Sequence, residues 1–259
     1  MIDYFGDLVR WFGENWAGEA GYLHRTWEHV TVSGTALVLA VAIAVPLAAW
    51  LGHRGRGGLA AVSVVNIGQA LPSFGIVALA LPFTIRLADA LPFIDSGLGF
   101  LPTLVALFAL ALPPVFSNTH AGFRGVDPEV VEAARGMGMG GRRVLAAVEL
   151  PLAAPLIFEG IRVAAIQVVA TAPLGALVGY GGLGQYIIHG FATRDSVEIT
   201  AGALLVVLLA LVTGSAVGRL GRLLIPPPLR PAPKPGNIPP GQHVVPVRGG
   251  SASPLSTKP

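Results

Sequence analysis

Asp127-Pro128-Glu129-Val130-Val131-Glu132-Ala133-Ala134-Arg135-Gly136-Met137-Gly138-Met139-Gly140-Gly141-Arg142-Arg143-Val144-Leu145-Ala146-Ala147-Val148-Glu149-Leu150-Pro151 separates two long apolar runs. It opens as a helix: Asp127 is a cap, Pro128 suits the first helical position, and Glu129 faces the positive end. The reading is a short helix over Val130 to Arg135, broken by Gly136, Gly138, Gly140 and Gly141. A second short helix follows from Arg142 to Glu149, stopped before Pro151, where the next apolar run begins. Two short helices joined by a glycine turn, within a polar loop of about 118–152, form a compact knob held between apolar segments.

Those segments decide the fold class. A hydrocarbon core about 30 Å thick needs about 20 mostly apolar residues per helix. Five runs qualify: about Val30–Leu51, Leu59–Pro82, Leu98–Phe116, Ala154–Val178 and Ile199–Val217. The composition agrees, with 53% hydrophobic and 12% charged residues and a mean hydropathy of +0.68. The expectation is an all-α integral membrane protein with about five transmembrane helices. Short-loop arginines set the orientation. Arg54, Arg56, Arg124, Arg135, Arg142, Arg143, Arg219 and Arg222 fall on one side, and Arg10, Arg25, Arg86 and Arg194 on the other. The richer side reads as the cytoplasm, placing the N-terminus outside and the C-terminus in the cytoplasm.

The ends differ from this middle. Residues 1–29 mix Asp3, Asp7, Arg10, Glu14 and Glu19 with Phe5, Trp11, Phe12, Trp16 and Trp27. That pattern resembles an amphipathic helix at the membrane interface more than a cleaved leader, with an ordinary helix outside the bilayer as the alternative. Residues 30–225 hold the spans. Residues 226–259 carry half of the prolines and no apolar periodicity, so they read as a disordered tail. The tail also explains the pI of 9.7: Arg230, Lys234, Arg248 and Lys258 give it +4 against a total of +3, leaving −1 elsewhere. No basic face for nucleic acid remains. The absence of cysteine excludes disulfides, thiolate zinc sites and thiol nucleophiles.

Within the quoted stretch, Glu132-Ala133-Ala134, Gly136, Gly138, Val148 and Leu150-Pro151 keep the spacing of the EAA loop. The chain thereby resembles permease subunits of binding-protein-dependent ABC importers. Asn66-Ile67-Gly68-Gln69-Ala70-Leu71-Pro72-Ser73, Ser117-Asn118-Thr119, Val126-Asp127-Pro128 and Gly160-Ile161-Arg162-Val163-Ala164-Ala165 are similar to the osmoprotectant branch. Glu159 and the proline-rich tail depart from it. The resemblance implies a type I importer fold in the plasma membrane and a knob that docks on a cytoplasmic ABC ATPase dimer. It also implies a second permease copy, identical or paralogous, an extracytoplasmic binding protein, and glycine betaine, choline or carnitine as cargo. Methionine or another amino acid is the alternative within the class.

The chain binds no cofactor in this reading: its only lysines, Lys234 and Lys258, lie in the tail, so no phosphate-binding P-loop exists and ATP is hydrolysed by the partner. Gly179-Tyr180-Gly181-Gly182-Leu183-Gly184 matches G-x-G-x-x-G formally, but follows an apolar span instead of a strand. It reads as an outer turn followed by a short helix over about Gln185–Gly190. Polar residues within spans mark pathways or helix contacts. Asn66 and Gln69, with Gln167 and Thr171, are the candidates for a translocation pathway, and Glu159–Arg162 for a buried ion pair. Scattered histidines give no metal spacing. A lipid-modifying enzyme would need clustered acids, histidines or a nucleophile at one membrane face, which the loops lack; a scaffold would leave the loop spacing unexplained.

Overall fold

The computed structural model describes residues 2–55, 62–63, 72–90 and 97–225. Among them there is no strand, and five helical segments are long and apolar enough to cross a membrane. In chain order the helices are α1 (Ile2–Glu14), α2 (Tyr22–Arg54), α3 (Ser73–Ala90), α4 (Phe100–Arg124), α5 (Pro128–Gly136) and α6 (Gly141–Val144). A π turn (Leu145–Glu149) leads into α7 (Leu150–Thr171), followed by a 3-10 stretch (Ala172–Val178), α8 (Gly184–Thr193) and α9 (Ser196–Leu224).

The core forms where small side chains let helices approach. On α2, Val32, Ala36, Ala40, Ala44 and Ala48 recur every fourth residue, so they share one face, and all are fully buried. That face packs on Leu107, Leu110, Ala111, Val115 and Phe116 of α4 and on Ala164 and Val168 of α7. Lipid tails are as apolar as leucine, so contact area and fit hold membrane helices together more than water exclusion does. Glycines set the closest crossings. A Cβ on Gly52 of α2 would lie 2.6 Å from Phe123 Cβ of α4, and one on Gly160 of α7 would lie 2.7 Å from Asn118 Cβ of α4. Helix α4 is therefore the central post, with α2 and α7 against it and α9 outside α7.

Several boundaries differ from the sequence expectation. Residues 22–29 belong to α2, not to the N-terminal segment. Helix α4 runs through Pro113-Pro114 to Arg124, eight residues beyond the expected end of the span. Asn118 Nδ2 donates to Pro114 O at 2.8 Å, engaging one carbonyl of the turn that follows the prolines. The loop thus begins after Arg124. The second expected span is described only from Ser73 as α3, and the tail lies outside the described residues.

Two ends of the bundle follow from the connections. At one end, the C-terminus of α2, the C-terminus of α4, the knob and the C-terminus of α9 collect. At the other, Gly99 N–H donates to Val178 O at 2.8 Å, bringing the start of α4 to the glycine-rich turn. Helix α1 joins that second end: Tyr4 donates to Ser196 O at 2.8 Å, and the Trp11 and Tyr186 rings meet edge-on at 5.0 Å.

Candidate functional site

The knob begins as its sequence dictates. Asp127 caps α5 by accepting the Glu129 N–H at 2.9 Å, with Pro128 in the first turn, where no amide is needed. The helix lasts nine residues and includes Gly136, which the sequence reading made a break. The break comes at Met137 to Gly140. Gly138 sits at φ +84°, a left-handed conformation that a Cβ disfavours, and its N–H donates to Arg135 O at 2.9 Å. Apart from its chain neighbours, no described residue comes within 4 Å of where its Cβ would be, so the glycine is needed for backbone conformation and not for space.

Glu132 and Ala133 are exposed, whereas Ala134 is buried. Ala133 is therefore open to contact from outside the chain, whereas Ala134 packs inside the knob. Met137, 77% exposed, projects from the turn. Glu132, Ala133, Gly136, Met137 and Gly138 are among the residues the knob exposes.

The second expected helix is not separate. Gly141 starts a helical run that continues through Pro151 to Val178. A proline inside a helix removes an N–H and presses its ring on the carbonyl four residues back. Here the turn Leu145–Glu149 just before Pro151 is widened to π geometry, with Leu150 N–H donating to Leu145 O. This relieves the clash without ending the helix. Val148 and Pro151 are half-buried and Leu150 is exposed. The knob is consequently one free helix plus the projecting first turns of a span, so a push on α6 reaches α7 through continuous backbone.

A buried carboxylate that sequence reasoning missed ties this joint to α2. Glu149 is 6% exposed, and its Oε2 lies 2.6 Å from His53 Nδ1 at the end of α2. A carboxylate between Val148 and Leu150 of the loop pattern was the only available signal.

At the opposite end, Gly179 (φ +84°) and Gly182 (φ +76°) turn the chain into α8, which spans Gly184–Thr193 as a slightly longer version of the expected short helix. Glu28 of α2 holds this turn: its Oε2 accepts the Gly182 N–H at 2.8 Å and the Arg25 guanidinium at 2.9 Å. Tyr180 donates to Glu28 O at 2.7 Å. Burial, with Glu28 close by, pushes the Tyr180 hydroxyl up to about 12, and burial does the same for Tyr186.

The candidate pathway residues are only partly described. Asn66 and Gln69 lie outside the described residues. Gln167 and Thr171 are half-buried on α7, and the Thr171 hydroxyl donates to Gln167 O at 2.7 Å, so it is engaged with its own helix. Glu159 and Arg162 do pair, at 3.6 Å, but their side chains are 52% and 46% exposed, so the expected buried ion pair is an open one. No group of three or more metal-ligating side chains occurs among the described residues.

This architecture has counterparts among known proteins. The family described as binding-protein-dependent transport system inner membrane component matches residues 40–227. The carnitine transport permease protein OpuCB of Listeria monocytogenes is 36% identical, covering 87% of this chain and 96% of that protein. The choline transport system permease protein OpuBB of Bacillus subtilis is 37% identical, covering 79% and 88%. The osmoprotectant import permease protein OsmW of Salmonella typhimurium is 32% identical over 82% of this chain and 95% of that one. Among solved structures, an inward-facing MetNI methionine ABC transporter chain superposes with a TM-score of 0.68 at 22% identity, covering 79% of this chain and 97% of that one.

Proposed function

Since the chain belongs to the binding-protein-dependent transport inner membrane components and is the multi-pass plasma-membrane permease subunit of an ABC importer, not an enzyme, we propose that it carries a small osmoprotectant such as glycine betaine, choline or carnitine. The names of its relatives support that cargo, and the fold likeness to a methionine importer does not compete with them. Uptake of radiolabelled choline, carnitine and glycine betaine, each challenged with excess methionine, separates the two readings. Uptake of radiolabelled methionine without uptake of any of the three osmolytes would overturn the assignment.

In this reading the knob is the contact to a cytoplasmic ABC ATPase dimer, and the N-terminus faces outward. Glu132, Ala133, Ala134, Gly136, Gly138, Val148, Leu150 and Pro151 form the coupling loop: Glu132 and Ala133 meet the partner, Ala134 packs the loop, and Gly138 turns it. Two permease copies enclose the path, with Asn66, Gln69, Gln167 and Thr171 lining it. An extracytoplasmic binding protein delivers the cargo to the end that carries the glycine-rich turn. When the ATPases close on ATP, displacement of α5 and α6 rotates α7 directly and α2 through Glu149–His53.

The left-handed Gly138 carries this reading. Gly138→Asp imposes a side chain on that conformation, at a cost of roughly 1 kcal/mol or more, and puts a charge into the proposed contact. Among the described residues nothing beyond its chain neighbours touches the new Cβ position, so the spans should insert normally. The expected result is normal membrane abundance, loss of the co-purifying ATPase, and no uptake. Undiminished ATPase association would overturn the coupling-loop assignment.

A further inference from the structure

The seam between helices α7 and α9 is charged at the knob end of the bundle. A cavity of about 510 Å³ is lined there by Arg162, Arg219 and Arg222, with Glu159, Ser215 and Gly218 among its other walls. Three cations face one carboxylate, and that carboxylate lies 3.6 Å from Arg162 in a half-exposed pair. The groove does not stop at the arginines. A second cavity of about 490 Å³ continues along the same seam, sharing Arg162, Gly214 and Ser215 with the first. Its remaining walls are apolar, including Ile166, Ala170, Ala203, Val207 and Leu211.

Glycine spacing keeps the seam narrow and its floor low. A Cβ at Gly214 would lie 2.7 Å from Ile166 Cδ1, and one at Gly221 would lie 3.1 Å from Phe158 Cβ. At Gly218 a Cβ would come 3.6 Å from Arg162 Nε, so the missing side chain leaves the guanidinium room over α9. Arg162 therefore stands at the junction of a cationic mouth and an apolar trough.

We infer that this paired groove is a binding site for one anionic phospholipid of the cytoplasmic leaflet, with its phosphate between Arg162, Arg219 and Arg222 and an acyl chain along the apolar trough. The cation excess selects a negative headgroup, since basic pockets between spans at the cytoplasmic face attract such lipids. The trough selects a lipid over a free phosphate, which has nothing to place there. Arginine also suits such a junction, because its planar fork holds phosphate oxygens in pairs while its stem lies along apolar surface. The inference rests on the proposed cytoplasmic placement of the knob end.

The test uses the full-length chain in mild detergent, titrated with dioleoyl-phosphatidylglycerol or dioleoyl-phosphatidylcholine and read by native mass spectrometry. Phosphatidylglycerol should be retained on the order of ten-fold better. R219Q/R222Q should bring it down to the phosphatidylcholine level, and R219K/R222K should restore most of the preference, which a folding defect would not allow. Ala203→Phe, filling the trough from an exposed position, should also weaken phosphatidylglycerol binding. Equal retention of the two lipids, or an unchanged preference in R219Q/R222Q, overturns the site. Displacement of phosphatidylglycerol by inorganic phosphate overturns it in favour of a free anion. Because the chain has no cysteine, Ser215→Cys is a lone thiol in the groove. Disulfide-linked dimers through it in native membranes would give the groove to a second copy and overturn the lipid. ATPase co-purification, followed in parallel, distinguishes these failures from failure of the permease reading: loss of lipid selectivity with the ATPase still bound removes the groove alone.

Discussion

Glu149 shows how much one residue decides in a lipid-embedded bundle. Its carboxylate is buried where the knob becomes α7, and His53 is its partner there. Removing one member leaves a buried polar group without its bond, which costs about 2–3 kcal/mol when the group is charged. Glu149→Ala should therefore lower the unfolding midpoint in detergent, and His53→Ala in that background should add little. Additive losses from the two substitutions would show that the contact is not an energetic pair. Gly181 makes the same point at the other end: a Cβ there would run into the Glu28 carboxylate and lie 2.7 Å from Arg25 Nη1. Both are ends of flexible side chains, so Gly181→Ala should make Glu28 and Arg25 swing aside, weakening the Gly182 contact and lowering uptake modestly while ATPase association persists; abolished uptake would show that the turn itself had moved. Neither contact was legible in the sequence, because Glu149 pairs across 96 residues and Glu28 across 154. Periodicity reports the face of an element, not the partner of a single carboxylate.

At the scale of elements, the cap formed by α1 and α8 is held by tyrosines, and that gives it a pH signature. The Tyr180 and Tyr186 hydroxyls, each pushed up to about 12 from an ordinary value near 10, stay neutral longer in the fold than in the unfolded chain. Stability from them is complete below pH 10 and is lost as the pH rises from about 10 through 12. Tyr186, which donates to Ala20 O and meets Trp11 edge-on, should lead the loss. Tryptophan fluorescence should report release of the cap over that window, and Tyr186→Phe should flatten the alkaline dependence; an unchanged profile would place the transition elsewhere. The elements themselves were largely legible. Four apolar runs, the Asp127-Pro128 helix start and the glycine turn follow from spacing and turn chemistry, and the described part of the remaining run, Ser73–Ala90, is helical as well. Two of the misread helix boundaries lie at prolines. The third span was expected to end at Phe116, just past Pro113-Pro114, and the second knob helix before Pro151, but neighbouring helices and a widened turn keep the backbone winding. A proline's local effect is fixed by sequence, whereas its accommodation depends on what packs around it.

At the scale of the whole molecule, the chain divides into a bundle matched to its family and a segment beyond it. The family match ends at residue 227. Ile225 is buried, and its N–H donates to Gly221 O, closing the last turn of α9. Pro226, Pro227 and Pro228 each lack an N–H to donate and restrict the residue before them. The composition after that point offers few apolar groups to repay the entropy of ordering. Its four cations could only add a diffuse attraction to anionic lipid, which weakens with salt. We therefore expect a chain ending at Ile225 to insert, retain its ATPase and transport at close to the full rate in physiological salt. Removal of the tail should at most lower membrane affinity of the C-terminus at low ionic strength, read by protease accessibility of an epitope placed after Leu224. Loss of assembly or of uptake on truncation would mean that residues 226–259 contribute a packed surface or a partner contact, and the division at 225 would have to be redrawn.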